Sequence, residues 1–205
     1  RVTGMDVCGE VAAIGEGVER WSEGDQVIVD PFISCGHCPD CHSGRENDCP
    51  EFGLLGMSQD GGHAEKVAVP AQNLHRVPKG VSAVEAAAIP LAFTTAWRLL
   101  QSRAQVNGDE TILISGASGA VGCAAVQIAR LVGCRVFALT SSDWKARELK
   151  QLGASRVFQT TDDHWQKQIL KATGQRGVDV VVDPVGPMLW NQFFPLLAPR
   201  GRLLS

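Results

Sequence analysis

Thr111-Ile112-Leu113-Ile114-Ser115-Gly116-Ala117-Ser118-Gly119-Ala120-Val121-Gly122 is the stretch that decides the fold. Five residues of mostly apolar, β-prone sequence run straight into a glycine-spaced turn, and a helical pattern carrying Val126, Ile128, Ala129 and Leu131 follows. The glycines let the strand turn at once into a helix whose first N–H groups have no partner within the helix and point at an anion. Gly119 permits close approach of a pyrophosphate, and Gly122 lets the helix lie flat on the sheet. Gly116, Ser118, Gly119, Ala120, Val121 and Gly122 are therefore the candidate contacts of a dinucleotide. The alternative is a glycine-rich turn without a ligand. A second strand arriving on schedule at Arg135 favours the first reading.

Downstream, strands and helices alternate. Helices are expected over 120–131, 144–152, 163–173 and 188–197, and strands over 135–139, 157–158, 178–183 and 202–204. The strands are almost wholly apolar, which fits a parallel sheet covered on both faces and an α/β fold. Upstream the character differs. Residues 11–29 read as short β runs between turns at Gly15-Glu16-Gly17 and Glu23-Gly24-Asp25, with further strands expected at 63–69 and 74–77. Ser82 and Glu85 form a capping-box pattern that opens a helix, Pro90 interrupts it, and a second helix is expected over 94–103. The division is placed at 1–103 for the β domain with its bridging helices and 104–205 for the dinucleotide-binding domain.

Between Pro31 and Glu51 periodicity vanishes, and so long an irregular loop needs something other than a core to hold it. Cys35, Cys38, Cys41 and Cys49 supply it. Four soft thiolates at this spacing fill a tetrahedral Zn²⁺ shell with no open position, so the ion would be structural and its binding energy would be folding energy for the lobe 35–49. Free or disulfide-bonded cysteines and an iron–sulfur cluster are the alternatives. His37 and His42 lie among the thiols and are read as exposed, positioning the loop by hydrogen bonds around the ligands.

The second strand of the α/β part ends Leu139-Thr140-Ser141-Ser142-Asp143-Trp144-Lys145. An acid at that tip would take the ribose hydroxyls of NAD, whereas a 2′-phosphate needs hydroxyls and a cation. No acid stands directly at the tip, so NADP is expected, with Ser141, Ser142 and Lys145 as phosphate contacts. NAD remains the alternative if Asp143 faces the ribose, although Asp143 is also placed to cap the helix beginning at Trp144. Asp183 closes the strand at 178–183, either bordering the cofactor crevice or capping the helix near Met188.

The 205 residues carry 44% hydrophobic and 20% charged residues and a formal charge of -3, enough for a real core and the wrong sign for phosphate-backbone binding. No run of apolar residues suggests a membrane span or a signal segment, and seven cysteines, an odd number, do not suggest a secreted disulfide framework. A cytoplasmic location without nucleic-acid or membrane partners is expected. Arg1 is not an ordinary translation start, and Gly201 to Ser205 reads as a fresh apolar strand, so the chain is expected to be a fragment.

Over nearly its whole length the chain resembles the medium-chain dehydrogenase/reductase family, which includes the zinc alcohol dehydrogenases and their quinone-oxidoreductase relatives. The family signature Gly-His-Glu, two residues, Gly, five residues, Gly, two residues, Val is matched by Gly4-Met5-Asp6-Val7-Cys8-Gly9, Gly15 and Val18. Gly24-Asp25-Gln26-Val27 resembles the next landmark, and the cysteine loop resembles the lobe that binds structural zinc. The resemblance implies a partial GroES-like catalytic domain, a partial Rossmann domain, and homodimers or homotetramers whose pairing strand follows Ser205. It also implies a departure. Met5 stands where the family's histidine ligates the reactive zinc, and Leu91 stands where a further Cys or Asp is expected. A thioether is a poor zinc ligand beside oxygen substrates, and Asp6 and Cys8 supply no convincing replacement set. The expectation is a structural but no catalytic zinc, with a quinone, enone or related carbonyl compound as small-molecule substrate. No catalytic acid is assigned, although Thr94 and Thr95 are candidates for lining the site. An alcohol dehydrogenase with atypical ligands and an inactive nucleotide-binding sensor are the alternatives.

Overall fold

The computed structural model describes all residues, 1–205. They divide into two compact units, Arg1–Leu91 and Ala92–Ser205.

In the first unit, strands β1 (Cys8–Glu10), β2 (Gln26–Val29) and β5 (Leu74–Arg76) form an antiparallel sheet in the order β1-β2-β5. Strands β3 (Phe32–Ile33) and β4 (Gly53–Leu54) form a separate two-stranded ladder, and a short helix α1 (Pro39–His42) lies in the chain between them. Val11, Trp21, Val27, Val29, Leu55 and Leu74 make the core. Trp21 reaches past that core to donate its indole N–H to Ala71 O at 3.0 Å. Helix α2 (Ala83–Ala87) opens with the capping box that the sequence announces: Ser82 Oγ accepts from the Glu85 amide while the Glu85 carboxylate accepts from the Ser82 amide.

Two expectations fail here or are modified. The segment 63–69 is not a strand. Its valines do pack against the core, as Val67 and Val69 show, but β propensity makes a strand only where a neighbouring backbone completes the ladder. The helix expected at 94–103 begins earlier, as α3 (Ile89–Trp97), because Pro90 falls in its first turn, where a missing N–H costs nothing. It continues as a π-helical stretch, Arg98–Arg103. Ala92, Ala96 and Leu100 from this helical run belong to the core of the second unit.

The second unit is a five-stranded sheet of β6 (Thr111–Ile114), β7 (Arg135–Thr140), β8 (Arg156–Gln159), β9 (Val178–Val182) and β10 (Leu197–Leu204). The order is β10-β9-β6-β7-β8 and every pairing is parallel. Helices α4 (Ala120–Val132), α5 (Asp143–Leu152), α6 (Trp165–Ala172) and α7 (Trp190–Phe193) fill the crossovers. Alternation along the strands builds two cores. Ile112, Ile114, Val136, Ala138, Val180 and Val182 face one side with α4 and Leu149 of α5. Leu113, Phe137, Leu139 and Val181 face the other with Trp165 and Ile169 of α6. The chain reverses its winding between β6 and β9, and in an open α/β sheet that reversal opens a crevice at the carboxyl ends of the strands.

The helix expected at 188–197 is broken into a 3-10 turn at Pro187–Leu189, the single turn of α7 and a second 3-10 turn at Phe194–Leu196. Pro187 starts the first 3-10 turn and Pro195 is the second residue of the other, where it removes the amide that a continuing helix would need. Strand β10 accordingly starts at Leu197 instead of Arg202, with an irregular register between them.

Candidate functional site: a cysteine lobe and a dinucleotide cradle

The lobe is built by short-range geometry. Gly36 and Gly44 take positive φ of +75° and +72°, which turns the chain back on itself on either side of α1. Cys38 caps α1, its sulfur accepting the Cys41 amide at 3.5 Å, and Pro39 occupies the first helical position. The four sulfurs of Cys35, Cys38, Cys41 and Cys49 lie within 4.8 Å of one another. Cys35 and Cys41 Sγ are 3.9 Å apart. Thiolates at about 2.3 Å from a central Zn²⁺ in a tetrahedron stand about 3.8 Å from each other, so the donor set fits that ion. All seven cysteines are free, which sets aside the disulfide alternative.

Backbone amides point at the sulfurs. Cys35 N and Glu51 N donate to Cys49 Sγ at 3.5 and 3.4 Å. The backbone N–H of His37 holds the Cys35 thiol down to about 6 despite some opposing burial. His37 and His42 are both exposed, and His37 Nδ1 lies 2.9 Å from Cys35 O. An ion pair between Arg45 and Asp40 at 2.7 Å ties the turn after α1.

The cradle is built by glycine. Gly116 leaves β6 with φ +50°, and a Cβ there would stand 2.6 Å from Val185 Cγ2. Gly119 is the cap residue of α4, and with no side-chain cap the first-turn N–H groups are left for a ligand. Gly119 and Ala120 are exposed, Ser118 and Val121 are half-buried, and Gly122 is buried. A Cβ on Gly122 would meet Gly116 O and stand 2.6 Å from Ala117 Cα, so glycine there allows α4 to sit against the loop backbone. Gly122→Ala is expected to displace the loop, cost about 1–3 kcal/mol of stability and weaken dinucleotide binding about tenfold or more. Calorimetric titration against the unaltered chain measures this, and unchanged affinity would show that the close approach is dispensable.

At the tip of β7 the hydroxyls are unpaired. Thr140, only 5% exposed, has no partner for Oγ1, and neither has the half-buried Ser142 Oγ. Ser142 is the N-cap of α5, a position where serine ordinarily accepts a backbone amide, yet it makes no such bond. Two orphaned hydroxyls beside an uncapped helix fit a polar ligand at this strand tip. The sequence reading missed Thr140, whose only advance signal was its place beside Ser141. Asp143 does not cap α5; it lies within the helix's first turn and accepts from Gln159 Nε2. Ser141 is exposed, and Lys145 Nζ sits 5.6 Å from the centre of the Trp144 ring. Asp183 is fully buried at the end of β9, where its carboxylate accepts from Ser115 Oγ, Val185 N and Trp190 Nε1. In the other unit Met5 and Leu91 are half-buried and Asp6 is exposed. Cys8 lies half-buried in β1, Thr94 of α3 is exposed and Thr95 is half-buried.

Comparison with known proteins matches both units. The alcohol dehydrogenase GroES-like domain family covers residues 1–79 and the zinc-binding dehydrogenase family covers residues 120–205. A solved NAD-dependent alcohol dehydrogenase superposes with a TM-score of 0.95 at 40% identity, over 98% of this chain and 59% of that one. The NAD-dependent alcohol dehydrogenase of Sulfolobus acidocaldarius is 32% identical over all of this chain and 59% of its own length. The acryloyl-coenzyme A reductase of Metallosphaera sedula is 33% identical over the same shares. The chain thus spans 59% of the length of these relatives. No helix is long and apolar enough to cross a membrane. With a GroES-like β unit carrying a cysteine lobe, followed by a parallel Rossmann sheet, the chain belongs to the medium-chain zinc-type alcohol dehydrogenase and quinone-oxidoreductase-like family.

Proposed function

We propose that this chain is part of an NADP(H)-dependent oxidoreductase that reduces quinones, enones or related conjugated carbonyl compounds, with a structural zinc in the lobe and no catalytic zinc. The observation that supports the reading is the pair of apolar residues Met5 and Leu91, which stand where the resemblance to the family signature would place ligands of the reactive metal. Without a cation on the substrate oxygen, an alcohol keeps an ordinary hydroxyl pKa and resists oxidation. A conjugated C=C–C=O group is more tractable, needing only a hydrogen-bond donor at its carbonyl oxygen and a proton at the α-carbon. The bound nicotinamide would supply the hydride.

The chain's own part is to hold and orient. Gly119 to Gly122 offer amides to the pyrophosphate, while Thr140, Ser141, Ser142 and Lys145 would hold the 2′-phosphoribose. Asp183 braces the loop from behind, adding to any contact it makes itself. The reductase named from Metallosphaera sedula acts, by its name, on an activated alkene, which supports the substrate class. The NAD-dependent alcohol dehydrogenases favour a second reading, an alcohol dehydrogenase with a rebuilt metal site. The whole protein is proposed to assemble as a homodimer or homotetramer in the cytoplasm.

Turnover of NADPH with a panel of quinones and enones, read together with zinc per chain, decides between them. One zinc with chelator-resistant turnover is expected; two zincs with chelator-sensitive alcohol oxidation would overturn the proposal. Ser142→Asp is expected to lower kcat/KM for NADPH relative to NADH by about tenfold, equivalent to about 1.4 kcal/mol, because a carboxylate repels the 2′-phosphate. An unchanged ratio would move the phosphate elsewhere.

A further inference from the structure

Besides the four sulfurs, the lobe brings together a second set of donors. The Cys35 sulfur, a ring nitrogen of His37 and a carboxylate oxygen of Glu51 lie within 4.8 Å of one another. Cys35 is half-buried while His37 and Glu51 are exposed, so this trio opens to solvent from a sulfur that the inner set also uses. The His37 ring and the Glu51 backbone are both tied to the lobe. The His37 ring is held against Cys35 by the 2.9 Å contact of Nδ1 with the carbonyl oxygen, and the Glu51 amide is fixed on Cys49 Sγ at 3.4 Å. No cation pairs with the Glu51 carboxylate.

Imidazole nitrogen, carboxylate oxygen and thiolate sulfur are together the ordinary ligand set of a borderline-soft divalent ion, and three protein ligands leave a fourth position for water. A thiolate keeps further lone pairs after binding one ion, so a single sulfur can bridge two. We propose that Cys35 serves two sites, and that the lobe takes a second zinc-class cation on Cys35, His37 and Glu51, bridged to the inner ion through the Cys35 sulfur. The proposal rests on the inner four-thiol set binding zinc. The outer ion has one shared thiolate instead of four thiolates and stands in water, so it binds second and more weakly.

Zinc titration of the metal-free 205-residue chain, followed by native mass spectrometry, tests this. Two equivalents are expected at excess zinc, and one in the chain carrying His37→Gln and Glu51→Gln. His42→Gln, which changes an exposed histidine outside the trio, is expected to keep both. With cadmium in place of zinc, scalar coupling between the two metal nuclei appears only if one sulfur joins them. A single equivalent at saturation would overturn the outer site alone, and failure to bind even one would overturn the inner reading with it. Persistence of the second equivalent in the double variant, or two uncoupled cadmium signals, would also overturn the shared-thiolate site.

Discussion

If the lobe holds zinc as proposed, a chain carrying Cys49→Ser is expected to lose that ion and to become open to protease across residues 35–49, while the unit Ala92–Ser205 keeps its fold. Cys49 closes the lobe: the other three thiols lie within a seven-residue span, and Cys49 returns to them from the far side of α1. It is also the one buried thiol of the four, at 5% exposure, and accepts two backbone amides. Between β3 and β4 the lobe has no core of its own, since α1 buries no residue and neither does the turn Glu46–Asp48. On the proposed structural-zinc reading, metal binding supplies the order. Small structural zinc sites carry apparent binding energies of about 10–16 kcal/mol near neutral pH. Replacing one thiolate by a neutral hydroxyl that ligates zinc poorly is expected to remove several kcal/mol of that. Metal content after dialysis and the pattern of limited proteolysis measure the effect. Full zinc retention with an uncut lobe would show that three thiols and the backbone suffice.

The contrast between this lobe and the sheet explains what the sequence could tell. The lobe was legible because four thiols at close spacing within an aperiodic stretch have few other uses, and because ligand spacing is a local property. Strands β6, β7 and β9 were legible for a related reason: runs such as Ile112-Leu113-Ile114 and Val180-Val181-Val182 must be buried on both faces, and only a covered parallel sheet does that. One reading failed because the outcome depended on a distant partner: the stretch 63–69 has strand composition but no ladder partner. The other failed for a local reason, since 188–197 has helix composition but carries Pro195, which divides it. The cradle's side-chain chemistry fell between these cases. Ser141, Ser142 and Lys145 were read from position alone, whereas the empty valences at Thr140 Oγ1 and Ser142 Oγ are visible only once every neighbour is placed. The partners of Asp183 come from residues 115, 185 and 190, and no local pattern joins the first to the others.

That buried carboxylate carries the second large effect. Asp183→Ala is expected to lower the stability of the chain by about 3–5 kcal/mol, because it strands Ser115 Oγ, Val185 N and Trp190 Nε1 together, and one unsatisfied buried donor costs about 1–3 kcal/mol. The sum stays below three full penalties because the Ser115 hydroxyl can rotate and Val185 is exposed enough for water to enter. Asp183→Asn tests the argument more finely. Its amide has one oxygen, whereas Val185 N donates to one carboxylate oxygen and Trp190 Nε1 to the other. Whichever way the amide turns, one N–H meets an NH₂ group, so an intermediate loss of about 1–3 kcal/mol is expected. The damage should reach the dinucleotide cradle, since Ser115 immediately precedes Gly116 and Val185 packs where a Gly116 Cβ would lie. Urea unfolding gives the stability change and cofactor titration gives the affinity change. Ser115→Ala should cost less in the Asp183→Ala background than alone, as two members of one network must. Strict additivity, or a loss below about 1 kcal/mol for Asp183→Ala, would mean that water already satisfies these donors and that the carboxylate does not brace the loop.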